Sequence, residues 1–263
     1  MADLRIISYL PNPRLYKSTI AARFSGATIE VVGAQPPEMP GWIWDYDARP
    51  LEEGEADSPE MAPFARTARR GFSGTLYKTD RFLEANPFGD VPAAFGDDGR
   101  IGLFESNSIM RAAARLGPNA ASVCGETPLE QSRIDAFLDR TLLFARDVQP
   151  YLFAGYGDDL AGPYATMRDT FESFLEGIER ALETTGFIAA DTISLADIVF
   201  ACELCLLSNE GRFTKELENS GLEPLMPTLP NYSRAWAHLG KLAKDERFSE
   251  DLGSYFSRMG VGE

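Results

Sequence analysis

Histidine is almost missing from this chain: His238 is the one histidine among 263 residues. That argues against a histidine-rich metal cage and a conventional Ser-His-Asp triad. Cysteine is scarce as well. Cys124, Cys202 and Cys205 form an odd, sparse set, which argues against a disulfide scaffold and suits a reducing cytoplasm. Positive charge is in short supply, with 25 Lys and Arg against 40 Asp and Glu and a formal net charge of −15. So acidic a chain disfavours nucleic acid and anionic membrane as main partners. No apolar run approaches the roughly 20 residues needed to cross a bilayer. The opening MADLRIISYL has no basic stretch followed by an apolar one, so no signal peptide is expected. The remaining composition, 44% hydrophobic and 25% charged, is that of an ordinary globular protein able to bury a core without staples.

The first third alternates strand and helix. Leu4 to Tyr9 predicts a buried strand ended by Pro11-Asn12-Pro13. Arg14 to Ser25 places Leu15, Ile20, Ala21 and Phe24 near one helical face, and Gly26 stops it. Thr28 to Val32 is β-branched and predicts a second strand. Strand, crossover helix and strand make a right-handed parallel βαβ unit. An insertion over residues 34–75 then breaks the rhythm with prolines, glycines and an acidic run (Glu52, Glu53, Glu55, Asp57), yet it carries Trp42, Trp44 and Tyr46. Two readings stand: a surface insertion without chemistry, or a wall or lid over a substrate pocket. Val91 to Phe95 and Ile101 to Phe104 predict short strands joined by a Gly96-Asp97-Asp98-Gly99 turn, and Ser106 to Leu116 predicts a helix stopped at Gly117-Pro118. This βα-β-insertion-ββα layout is thioredoxin-like.

Residues 118–127 read as a linker, and the chain beyond is helical. Helices are predicted from Leu129 to about Tyr151, from Tyr164 to Leu182, from Ser194, from Asn231 to Ala243 and from Glu246 to Met259. The fold class is thus α+β followed by α, with domains over residues 1–117 and 128–263. Ser194 and Asp197 have N-cap and N3 spacing, a folding device with Asp in place of the usual Glu or Gln. Cys202 and Cys205 lie inside the helix that follows, away from the dipole that activates a redox thiol, and read as core. His238 reads as a helix-face residue.

Three places carry candidate chemistry. At Val91-Pro92 a cis peptide, the minority isomer, would expose the Val91 backbone to an extended peptide. Glu105-Ser106 stands where a strand meets a helix N-terminus. There Ser106 can hold a carboxylate and Glu105 an ammonium, or Ser106 is a plain N-cap and Glu105 a solvated charge. Asn12, before the first helix, either donates to a ligand thiolate or is a turn residue between prolines.

The stretches FLEANPFGDVP (Phe82 to Pro92), FESNSIM (Phe104 to Met110) and ISLAD (Ile193 to Asp197) resemble, in order and spacing, the cytosolic glutathione transferase (GST) superfamily in its bacterial branch. The likeness covers nearly the whole chain outside the insertion. It implies a thioredoxin-like domain followed by an all-helical GST C-terminal domain. It also implies glutathione as cosubstrate, held by Val91, Pro92, Glu105 and Ser106, and a homo- or heterodimer in the cytoplasm without metal. Asn12 falls where some members use an Asn to activate the thiol, with Ser8 and Tyr9 as backups. Leu10 stands where many members have a hydroxyl or thiol, and Asp90 where a Lys is frequent. The implied activity is attack of the thiolate on a hydrophobic aromatic substrate, with β-etherases among the relatives. The segment from Arg14 to Gly26 and KTDRF (Lys78 to Phe82) resemble the GST-like domain of elongation factor 1B gamma, whose role is assembly.

Overall fold

The computed structural model describes residues 2–69, 71–96, 99–157 and 159–262. The expected Asp97-Asp98 turn lies outside the described residues. The chain divides into two compact units, one of residues 1–22 and 26–118, the other of residues 23–25 and 119–263.

In the first unit, strand β1 (Leu4–Ile7) leads through helix α1 (Pro13–Ser25) to β2 (Ile29–Val32). Gly26 adopts the left-handed conformation at φ 81° and its N–H returns to the Ala22 carbonyl, which ends α1 where expected. The insertion is not a loop. It contributes β3 (Trp42–Trp44), β4 (Arg49–Pro50) and β5 (Ala65–Thr67), which pair with β6 (Thr75–Lys78) at its end in the order β4-β3-β6-β5 as a second sheet. A short helix α2 (Asp80–Ala85), capped by Thr79, follows. Then come β7 (Ala93–Phe95), β8 (Gly102–Leu103) and α3 (Ser106–Leu116). The first sheet has the order β2-β1-β7-β8, with β1 and β2 parallel and β7 and β8 each antiparallel to its neighbour. This is the expected thioredoxin-like arrangement.

Alternation along the strands explains the two layers. Leu4 and Ile6 of β1 and Ala94 of β7 join Leu15 and Ala22 of α1 and Ile109 and Ala113 of α3 in one apolar cluster. Ile7, Ala93 and Phe95 face the other way, into a cluster with Met39, Trp44, Leu76 and Phe82. The insertion therefore covers the second face of the first sheet. Edge-on ring contacts run from Tyr9 to Phe72 to Trp44 to Phe82 at centroid separations of 6.2, 5.5 and 6.1 Å.

The second unit begins with α4 (Ala121–Cys124), a short helix inside the expected linker, and α5 (Pro128–Ala154), whose start is closed by reciprocal bonds between Thr127 and Glu130. Helices α6 (Ala161–Thr185), α7 (Leu195–Leu207), α8 (Thr214–Asn219), α9 (Ser233–Ala243) and α10 (Glu246–Met259) complete it. Every residue of α7 but Leu206 is buried. Cys202 and Cys205 are among them, and burial pushes the Cys205 thiol pKa up. Asp197 Oδ2 accepts both the N–H and the hydroxyl of Ser194, each at 2.8 Å. His238 lies on the inward face of its helix. It is buried, and its Nε2 meets Asp197 Oδ1 at 2.8 Å. No helix among the described residues is long and apolar enough to cross a membrane.

Candidate functional site

The strand register of the first sheet decides which candidate residues meet. Ile7 pairs with Ala93 and Ala94 with Leu103, both antiparallel. The carboxyl end of β1, the amino end of β7 and the carboxyl end of β8 therefore share one end of the sheet. Ser8 to Asn12, Val91-Pro92 and Glu105-Ser106 are the residues that continue those three ends.

At β1, Ser8 N–H donates to Val32 O at 3.1 Å and Leu10 N–H to Ala34 O at 2.8 Å, so the segment stays tied to the end of β2. Gly33 allows this approach: a Cβ there would meet the Ser8 carbonyl oxygen at 1.7 Å. Leu10-Pro11 is cis. Asn12 caps α1, its Oδ1 accepting Arg14 N–H at 3.0 Å, and its Nδ2 donates to Ser8 Oγ at 3.0 Å. The Ser8 hydroxyl donates on to Tyr9 O at 2.9 Å. Ser8 and Asn12 are fully buried, and Tyr9 packs half-buried in the aromatic layer. The first amides of α1 are occupied. Pro13 has none, Arg14 donates to Asn12 Oδ1, and Leu15 and Tyr16 donate to Asn12 O.

Val91-Pro92 is cis. The loop before it is braced from two sides. Buried Asn86 accepts Gly89 N–H through Oδ1 at 3.2 Å and donates through Nδ2 to Asp90 O at 2.8 Å. Lys78 Nζ, from β6, donates to Gly89 O and lies 4.8 Å from the centre of the Trp44 ring. Burial pulls the Lys78 pKa down, while neighbouring Asp90 works against that shift.

At α3 the cap differs from the expectation. Glu105 occupies the N-cap position without a side-chain capping bond, and Ser106 is the first helical residue. Glu105 has φ 66°, the one positive value at a non-glycine among the described residues. Its side chain is exposed and Ser106 is half-buried. Behind them Lys17 of α1, 1% exposed, donates to Ser106 Oγ at 3.1 Å and Asn107 Oδ1 at 2.9 Å.

Sequence reasoning missed Lys17, Lys78, Asn86 and Gly33. Lys17 did leave a signal: it lies three and four residues before the fully buried Ile20 and Ala21, a charge in an apolar stripe. Among the described residues no group of three or more His, Cys, Asp or Glu is placed to hold a metal ion.

The whole chain superimposes on glutathione S-transferase I from maize in complex with an atrazine glutathione conjugate, with a TM-score of 0.61, 20% identity and 100% of both chains covered. The chain has the glutathione transferase fold. Curated relatives of this fold point two ways. Elongation factor 1-gamma 3 of Oryza sativa subsp. japonica is 30% identical over 137 residues, which is 50% of this chain and 32% of that protein. Glutathione S-transferase 1 of Zea mays is 29% identical over 176 residues, 64% of this chain and 77% of that protein. The chain thus spans about a third of the length of the elongation factor relatives it matches. No family model matches.

Proposed function

We propose that this chain binds glutathione and transfers it to a hydrophobic aromatic electrophile. The observation that carries this reading is the convergence of Val91-Pro92 and Glu105-Ser106 at one end of the first sheet. The peptide lies extended along Val91, its α-carboxylate meets Ser106 and the positive end of α3, and its ammonium meets Glu105. The sulfur lies toward Ser8, Tyr9 and Asn12. Its thiolate attacks the substrate carbon, a C–S bond forms, the bond to the leaving group breaks, and the departing anion takes a proton from water. Aryl ethers belong to the substrate class, the leaving group then being an aryloxide. The protein works as a homo- or heterodimer in the cytoplasm. The exposed apolar side chains Leu142 and Leu143 of α5 support the dimer, and a sparse set of three cysteines suits a reducing compartment.

A second reading, a glutathione transferase fold used for binding or assembly without catalysis, is favoured by two features. The start of α1 offers no spare backbone donor for a thiolate, and Leu10 brings no hydroxyl. Retention on immobilised glutathione tests the first reading, and a protein that flows through overturns it. A glutathione-dependent panel of aromatic electrophiles, aryl ethers included, then separates the two. Binding without turnover on any substrate assigns the assembly role.

A further inference from the structure

Lys17 is a lysine sealed inside the first unit, and burying an ammonium costs several kcal/mol unless acceptors replace its water. Two of its acceptors are Ser106 Oγ and Asn107 Oδ1, 89 and 90 residues further along the chain. A methionine of similar length would fill the same space without that cost. Asn107 is buried, whereas Ser106 reaches the surface at the first position of α3.

The chemistry of the two groups sets the direction of the bond. An ammonium only donates, so Ser106 Oγ is the acceptor. A serine hydroxyl has one hydrogen and two lone pairs. With a lone pair facing Lys17, the hydrogen must point away from the ammonium, toward the open side at the helix start. The cation also polarises that O–H and makes it a stronger donor. It adds a buried positive charge to the positive end of the helix dipole. In a chain of formal net charge −15, an anion needs such a local field to bind.

We propose that Lys17 is a positioning residue for anion recognition at Ser106. It holds the serine hydroxyl outward as a preoriented donor to the α-carboxylate of an amino-acid head group. Glu105, exposed beside it, takes the ammonium of the same head group. This rests on the glutathione reading above, which it deepens by naming what prepares the carboxylate subsite.

The test compares two ligands by calorimetry on the full chain: glutathione, and γ-aminobutyryl-cysteinyl-glycine, the same peptide without the α-carboxylate. In Lys17→Met, glutathione affinity is expected to fall roughly tenfold to a hundredfold, the worth of a charge-assisted bond, while the analogue's affinity stays within about twofold. Combined with Ser106→Ala, Lys17→Met should add little, because both act through one contact. Lys17→Gln, neutral but still able to donate, is the second variant should the methionine protein not fold. It is expected to lose the same preference in part. Equal loss for both ligands, no loss for either, or full additivity with Ser106→Ala each overturn the role of Lys17 while glutathione binding stands. A wild-type protein that binds neither ligand overturns the glutathione reading, and this proposal with it.

Discussion

Asn12 donates its side-chain N–H to the Ser8 hydroxyl at 3.0 Å, and neither side chain reaches solvent. The asparagine thus serves the fold at both ends, capping α1 with its oxygen and steadying the turn after β1 with its nitrogen. Asn12→Ala should destabilise the protein by about 1–2 kcal/mol, from a lost cap plus a buried hydroxyl without its donor. Asn12→Asp keeps a cap oxygen but loses the donor, and should fall between. Urea midpoints measure both. If Asn12 also bears on the sulfur of bound glutathione, the thiol pKa read from thiolate absorbance rises in Asn12→Asp. An unchanged value confines the residue to its structural work.

Trp44 is 1% exposed, and its Nε1–H donates to Met39 O at 3.1 Å. It fills the layer between the insertion and the face of the first sheet that carries Ile7 and Phe95. Trp44→Ala should cost about 3–5 kcal/mol, and Trp44→Phe about 1 kcal/mol for the lost bond to Met39 O, which keeps the Trp42 N–H. Circular dichroism in a urea series reads both. A Trp44→Ala protein with an unshifted midpoint would mean the insertion is an appendage and not part of the core.

Why Trp44 was visible as a suspect and not as a core residue comes down to distance in sequence. The βαβ start was legible because periodicity from Leu15 to Phe24 and the stop at Gly26 are local signals. The Ser194 and Asp197 spacing was legible for the same reason. The second sheet was not, since its strands are two to four residues long and offer no period to count. Their cross-strand partners lie as far off as Trp44 and Lys78. At the site, Glu105-Ser106 was legible as a strand-to-helix junction, but the backbone put Glu105 and not Ser106 at the cap. Lys17 escaped because its partners on α3 are some ninety residues away. Such contacts depend on the closed fold.

Within the insertion, Glu55 is held by a two-pronged bond from Arg49 at 2.6 and 2.8 Å and by Glu52 N–H at 2.7 Å. The Arg49 bond, then the backbone donor, lower its pKa to about 2. A depressed carboxylate contributes stability above its unfolded value and loses it as pH falls through the folded one. NMR titration should therefore show Glu55 charged down to about pH 2. Arg49→Met should return it toward the ordinary carboxylate range, and raised salt should shrink the shift. A Glu55 that titrates normally in the wild type would show that the 49–55 turn is not held by this pair.

Glu210 supplies the opposite sign. Its carboxylate is buried, with Oε1 accepting from Tyr151 Oη at 2.5 Å and from Leu225 N–H at 2.9 Å, and Oε2 from Met226 N–H at 2.9 Å. Burial raises its pKa, and the three donors offset that only in part. The fold therefore favours the protonated acid. Its contribution is fully present below the unfolded carboxylate value and is lost as pH rises through the raised folded value. In Glu210→Gln this titration is gone, and an amide NH2 faces one of the two backbone donors, at a cost of about 1–3 kcal/mol. The wild type's advantage over Glu210→Gln should accordingly be largest below the ordinary carboxylate range and shrink as pH rises above it. Tyr151→Phe removes a donor that favours the anion, so it should move that loss to higher pH. Urea midpoints taken from below the ordinary carboxylate range up to neutral decide the matter. An advantage that grows with pH would mean that the three donors outweigh burial and that Glu210 is charged wherever the protein works.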